Sequence, residues 1–350
     1  LDSVYITRRD MCDQCVITNK LGSNCLWILP SKDFLLLLLK KICDKYEKSL
    51  DAKKLLPAKV CGLQPNSVPP VWVLNKHTHL TLTDGDIRYL SADQSYVLNG
   101  DGFPSYTYSD MMKGMLDQGQ MLKSLIQQLV SFIDDDINVA LLVVGGTVMS
   151  FHYDLLHSLI GGVPITMAIG DPVSGKSTTV EAMLALFDER ESVGAGTGAK
   201  LLETLVDRTI PIWWDDIDNP PVLENLTVLV FNKSKQVTLG CERVGSTLPI
   251  ISINQTKLWG GFLRLKWKAE GFNRTIPLPF RMKASNVSLS ERLDSRSVMG
   301  RLLKELPRSI SVIKLHNDFT NMSKDKLFAT IEEILVIYNL PDPRSQMNIA

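Results

Sequence analysis

The chain has 350 residues, 45% of them hydrophobic, with 38 basic and 38 acidic side chains. That length holds two or three domains and enough apolar material for a proper core. The formal net charge of zero excludes an overall electrostatic pull toward DNA, RNA or anionic lipid, so any nucleic-acid contact has to come from a local patch.

The 6 cysteines are too few for a secreted disulfide scaffold, and no signal peptide is recognisable at the start. Both points lead to the expectation of an intracellular protein, nuclear or cytoplasmic. The first residue is Leu1 rather than Met, which fits a fragment or a processed product.

Residues 1–70 mix polar, cysteine-bearing stretches with helical ones, and 34–50 has the apolar start and charged end of a helix. Cys12 and Cys15 form a C-x-x-C, with Cys25, Cys43, Cys61, His77 and His79 as further donors. Two readings stand: a zinc site, or scattered reduced cysteines. A lone C-x-x-C without a second pair favours the latter. Residues 71–103 are β-rich, in four short runs with Asp84-Gly85 and Asn99-Gly100 as turn signals. Residues 109–133 read as a helix capped by Ser109 or Asp110. The acidic run Asp134-Asp135-Asp136 marks the main boundary, closing an α+β region of unknown role at 1–134.

Residues 137–160 form the most apolar stretch, but His152, Asp154 and His157 interrupt it. Its unbroken apolar part falls short of the roughly 20 residues that span a bilayer. One buried helix against a sheet is expected, and no membrane partner.

The most informative segment follows. Gly170-Asp171-Pro172-Val173-Ser174-Gly175-Lys176-Ser177 fits the phosphate-loop pattern G-x-x-x-x-G-K-S/T, with Thr178 next. The glycines let the backbone turn so that successive N–H groups point inward. Lys176 is expected on the β- and γ-phosphates of ATP, and Ser177 on Mg²⁺. Context agrees: 163–169 is an apolar β-like run, and 178–187 carries Val180, Met183, Leu184 and Phe187 on one helical face. From 137 to 284 strand and helix patterns alternate, the mark of an α/β fold with a parallel sheet.

A second apolar run, 209–214, ends in Asp215-Asp216, as a buried strand delivering carboxylates to its C-terminal edge would. Asp215 is expected to hold Mg²⁺ through water and Asp216 to polarise the attacking water, with Asp218 a weaker alternative. The plainer reading is a polar turn before a helix that begins at Asn219 and two prolines. A third run, 248–253, ends in Asn254-Gln255, where an amide can bond the γ-phosphate and the lytic water. A fourth, 275–280, follows Asn273-Arg274, so Arg274 lies on the opposite edge. It is either an arginine finger reaching a neighbour's nucleotide or an ordinary surface arginine.

This order of parts resembles superfamily 3 helicases, a branch of the AAA+ ATPases of viral and mobile-element replication. The shared series occupies 170–177, 210–216, 233–244, 250–254 and 274–280. The resemblance implies an AAA+-like P-loop ATPase core at 135–284, a homo-oligomeric (hexameric) ring, and single-stranded nucleic acid as partner. A helical C-terminal region at 285–350 follows, with helices expected at 290–306 and 324–338.

One departure touches the nucleic acid. Such helicases grip single strands with a basic or His-bearing hairpin tip, whereas 236–245 offers only Arg243, next to Glu242. A second basic feature lies at 257–268, where Arg264, Lys266 and Lys268 recur at period two near Trp259 and Phe262. That pattern suits backbone contact and base stacking, but more often it is an amphipathic strand with a solvated basic face. Two rivals keep the phosphate loop and drop the motor: a regulatory or scaffolding switch, and a small-molecule kinase for which Arg296 and Arg301 are the nearest lid candidates.

Overall fold

In a computed structural model, residues 37, 40–42, 44–45, 56–75, 78–84, 86–90, 96–97, 118–133, 136–172, 174–185, 187, 189, 192–194, 197–217, 219–238, 241–254, 271, 273–281, 290, 293–294, 297–301 and 311–337 are described. Five short apolar runs build the central sheet: β7 (Ile165–Gly170), β8 (Ser192–Val193), β9 (Ile212–Asp215), β12 (Pro249–Asn254) and β13 (Thr275–Phe280). All pair in parallel, in the order β13-β7-β12-β9-β8. Every residue of β7 is buried, as a strand covered by helices on both faces must be. β13 carries Pro277 and Pro279, which lack an N–H for a second ladder, and among the described residues it lies at the sheet edge, paired with β7 alone.

The helices are α1 (Gln118–Ile133), α2 (Ile137–Phe151), α3 (Tyr153–Ile160), α4 (Lys176–Ala185), α5 (Gly198–Val206), α6 (Pro220–Phe231), α7 (Ser311–Thr320) and α8 (Lys324–Ile337). Local chemistry starts two of them. Thr197 caps α5 by accepting the Lys200 N–H at 3.3 Å, and Asn219 caps α6 ahead of Pro220.

Side-chain alternation along the strands sorts the core into two faces. Ala168, Trp213, Ile250 and Leu278 point to one face, with Val143 of α2 and Val180, Met183 and Leu184 of α4. Ile165, Met167, Ile212, Trp214, Ile251 and Ile253 point to the other, with Tyr153 of α3, Leu205 of α5 and Leu223 of α6.

Residues 137–160 are therefore not one helix. The chain breaks at His152 (φ −102°), and α2 and α3 are bent by 87°. The reason lies in the two faces: α2 buries Val143 and Phe151 on the first, α3 buries Tyr153 and Leu156 on the second. Among the described residues no single helix is long and apolar enough to cross a membrane.

The N-terminal region adds an antiparallel sheet of β2 (Gly62–Leu63), β3 (Val71–Val73), β4 (His79–Thr83) and β5 (Asp86–Leu90), in that order. Asp84 at φ 55° starts the two-residue connection between Thr83 and Asp86. The fourth run leaves this meander: β6 (Tyr96–Val97) pairs in parallel with β1 (Leu56–Pro57). This sheet and the central one are stitched at Cys61, whose N–H donates to the Asp207 carbonyl at 2.8 Å and whose carbonyl accepts the Thr209 N–H at 2.9 Å. Trp72, Leu74, Leu80 and Leu82 continue the first core face.

Cys61 itself is a core thiol. It donates to the Leu74 carbonyl at 3.3 Å, and burial pushes its pKa up to about 12. Cys12, Cys15, Cys25, Cys43 and His77 lie outside the described residues.

Candidate functional site

β7 runs straight into the phosphate loop, and α4 starts at Lys176. Gly170 has no room for a side chain: a Cβ there would sit 2.5 Å from Ser174 Oγ and 2.8 Å from the Phe280 carbonyl. Gly175 has φ +90°, the left-handed backbone that turns the loop into the helix. The Ser174 N–H closes on the Asp171 carbonyl at 3.3 Å, and Thr179 clamps the Gly175 carbonyl with N–H and hydroxyl, each at 2.9 Å. Lys176 is buried, and its Nζ folds back to 3.4 Å from the Asp171 carbonyl. Asp171, Ser177 and Thr178 are half-buried and Pro172 is exposed. Val173 lies outside the described residues.

β12 lies between β7 and β9 and brings the remaining residues to the same edge. Its last residue, Asn254, is the cross-strand partner of Gly170. On its other side Ser252 is the partner of Asp215. The Ser252 hydroxyl donates to Asp215 Oδ1 and accepts the Trp213 indole N–H at 2.7 Å. Asp216 is exposed, turns through φ 52°, and donates its N–H to the Ser252 carbonyl at 3.0 Å. The same alternation that sorts the core puts Trp213, Asp215, Ser252 and Asn254 on the α4 side of the sheet. Asp218 and Gln255 lie outside the described residues.

The residues present fit an Mg²⁺–nucleotide. A hydroxyl and a carboxylate are hard oxygen donors for a cation that takes the rest of its shell from phosphates and water. Ser174 Oγ is buried without a hydrogen-bond partner, and the missing Cβ of Gly170 lets Ser174 and the Phe280 carbonyl close in on the loop. Among the described residues no group of three or more His, Cys, Asp or Glu gathers to hold a metal by itself.

Arg274 lies at the far edge. Its carbonyl accepts the Ile165 N–H at 3.0 Å, at the start of β7, and its guanidinium lies 5.4 Å from the centre of the Phe231 ring. Arg243 belongs to a hairpin of β10 (Gln236–Thr238) and β11 (Cys241–Arg243). There it pairs with Gln236, at the end away from the Thr238–Cys241 pair. Arg264, Lys266 and Lys268 lie outside the described residues.

Sequence reading missed three parts of this site. Ser252 and Trp213 read in the sequence as plain strand residues, although Trp213 stands two before Asp215 and so shares its face. The end of α1 also reaches the loop: a Cβ on Gly175 would touch Phe132 at 3.4 Å. Asp136, in the acidic run that marks the boundary, is buried and accepts the Arg281 N–H at 2.7 Å, just past β13.

The strand order, the loop between β7 and α4, and the carboxylate at the end of β9 define an α/β P-loop core. No family profile matches the chain, and no curated protein matches it. Among solved structures it is similar over 86% of its length to the active helicase Cch of SCCmec type IV, at 15% identity and TM-score 0.47. It is also similar over 66% to the S. cerevisiae Hsp104–ADP complex (13% identity, TM-score 0.37) and over 64% to the JCV helicase (17%, TM-score 0.29). The chain spans 57%, 52% and 70% of those three chains. The fold assignment stands on this chain's own strand order and loop.

Proposed function

We propose that this chain is a Mg²⁺-dependent ATPase of the superfamily 3 type, working in a ring on single-stranded nucleic acid. The reading rests on one observation: Gly170, Asn254 and Asp215 end three neighbouring parallel strands at one sheet edge. In such a site the loop N–H groups and Lys176 hold the β- and γ-phosphates. Ser177 and Asp215 hold the metal, which supplies charge neutralisation on the transferring phosphoryl group. Asp216 orients the attacking water, Asn254 bonds the γ-phosphate side, and Arg274 reaches the neighbouring subunit's site.

The test is phosphate release from ATP with and without single-stranded DNA, for the wild type and Lys176→Ala. Stimulation by the strand, with loss of hydrolysis in the variant, is the expected result. Acceptor-dependent ATP loss without free phosphate would point to a kinase instead.

One observation favours a second reading, a nucleotide switch that does not translocate. Arg243 is the only basic residue of 236–245, and it pairs at the base of the hairpin, away from the tip that a strand-gripping loop would use. Under that reading Lys176→Ala abolishes ATP binding while single strands leave hydrolysis unchanged.

A further inference from the structure

We infer that Ser252 is a positioning residue for both site carboxylates, held in place by Trp213, and that it sets the affinity for the nucleotide-bound metal. The inference rests on the ATPase reading above.

The direction of the hydrogen-bond chain follows from chemistry alone. An indole N–H can only donate and an ionised carboxylate can only accept, whereas a serine hydroxyl does both, with a single proton. Trp213 Nε1 donates to Ser252 Oγ at 2.7 Å. The hydroxyl's one proton is therefore committed to Asp215 Oδ1. Ser252 is fully buried and Trp213 nearly so, which leaves no water to replace the bond between them, while Asp215 is half-exposed. Occupying Oδ1 from the sheet side fixes the carboxylate rotamer and leaves Oδ2 for the water shell of the metal.

The same residue also fixes the second acid. Its carbonyl accepts the Asp216 N–H at 3.0 Å. That bond pins the left-handed turn, φ 52°, by which Asp216 leaves the sheet. Aspartate tolerates the left-handed region better than most non-glycine residues, and this bond holds Asp216 there. One residue of β12 thus orients Asp215 through its side chain and Asp216 through its main chain. Asn254 stands two residues further along the same strand, on the same face.

Groups that hold a metal ligand from behind are typically worth about ten- to a hundredfold in metal affinity or activity. The experiment uses the full chain with ADP and Mn²⁺ as the probe, titrated by electron paramagnetic resonance, alongside Mg²⁺-dependent phosphate release from ATP. Ser252→Ala should weaken nucleotide-dependent Mn²⁺ binding about tenfold and lower kcat by a similar or larger factor. ATP affinity in EDTA should stay within about twofold of wild type, since Lys176 and the loop are untouched. Ser252→Thr, which restores the hydroxyl, should recover most of the loss.

Trp213→Phe keeps the serine–carboxylate bond but frees the hydroxyl, so it should give a smaller weakening of Mn²⁺ binding. It carries the test if Ser252→Ala fails to fold. Mn²⁺ binding and turnover within twofold of wild type in folded Ser252→Ala, or in Trp213→Phe where the alanine variant is unfolded, would overturn the inference. A wild type that binds no Mn²⁺ with ADP and is indistinguishable from Lys176→Ala would instead overturn the ATPase reading, and this inference with it.

Discussion

Asn254 and Gly170 are cross-strand partners: the amide that ends β12 stands beside the glycine where β7 enters the phosphate loop. Parallel pairing at this register carries Asn254 to the loop without any contact between residues close in sequence. Under the proposed ATPase reading, an amide there would meet the γ-phosphate end of the nucleotide rather than its base. Asn254→Ala is therefore expected to lower kcat about a hundredfold, the scale of losing one donor aimed at developing charge. ATP affinity should change little. Steady-state phosphate release against a nucleotide-binding titration separates the two, and an equal loss in both would remove the sensor role.

Gly170→Ala tests the loop from the packing side. The added Cβ would face Ser174 Oγ at 2.5 Å and, less forgivingly, the Phe280 carbonyl at 2.8 Å, which belongs to a paired strand backbone. Overpacking of this kind costs about 1–3 kcal/mol. The prediction is a lower melting temperature together with lost ATP binding. A variant that melts like wild type and still binds ATP would show that β7 and β13 are free to part here.

The two effects also explain what was legible in the sequence. Glycine, lysine and paired aspartates at the ends of apolar runs are fixed by local backbone geometry and charge, so Gly170, Lys176 and Asp215 could be located one run at a time, whereas Asn254, a turn residue by its own run, stood out only by its place in that series. What the runs do next depends on partners far along the chain. Ser252 reads as a neutral strand residue until β12 is seen between β7 and β9. The break at His152 is invisible while both faces of the sheet remain unassigned, because an uninterrupted apolar helix satisfies periodicity equally well. β8 has two residues, too few for any pattern, and takes its direction from β9. Asp136 reads only as part of a boundary run because nothing local announces the Arg281 N–H, 145 positions on.

Two histidines predict how stability responds to acid. Burial lowers the pKa of His316, whose ring on α7 stands edge-on to Trp72 at 5.2 Å and lies 6.1 Å from His152. His157 is lowered too, by burial first and then by Lys233, against the opposing pull of Asp154 and of hydrogen bonds to the Asn232 and Phe231 backbone. A histidine with a depressed folded pKa binds its proton more readily when unfolded. Stability is then fully present above the ordinary value of 6.5 and falls as pH drops below it, through the lowered folded values. Melting temperature should be flat from about pH 7 to 8 and decline toward pH 5. His316→Phe should make that decline shallower. An unchanged slope in the variant would place the proton uptake elsewhere.

Arg274 separates a packing role from a role across subunits. Its guanidinium over the Phe231 ring is a cation–π contact worth about 0.5–1 kcal/mol at a partly exposed site. Losing that alone would lower the melting temperature slightly and leave ATP turnover intact. The residue lies at the start of β13, whereas the phosphate loop follows the C-terminal end of β7, so Arg274 cannot serve its own nucleotide. If it serves the next subunit's, Arg274→Ala should lower turnover about a thousandfold with ATP affinity preserved. Lys176→Ala should be equally inactive by itself. Mixing the two inactive variants then gives the decisive reading. In a head-to-tail ring assembled at random from equal parts, about one interface in four joins an intact Lys176 to an intact Arg274. Phosphate release should reappear in the mixture, and only under conditions where subunits exchange. A mixture as inactive as its components would leave Arg274 with its place over Phe231 and nothing more.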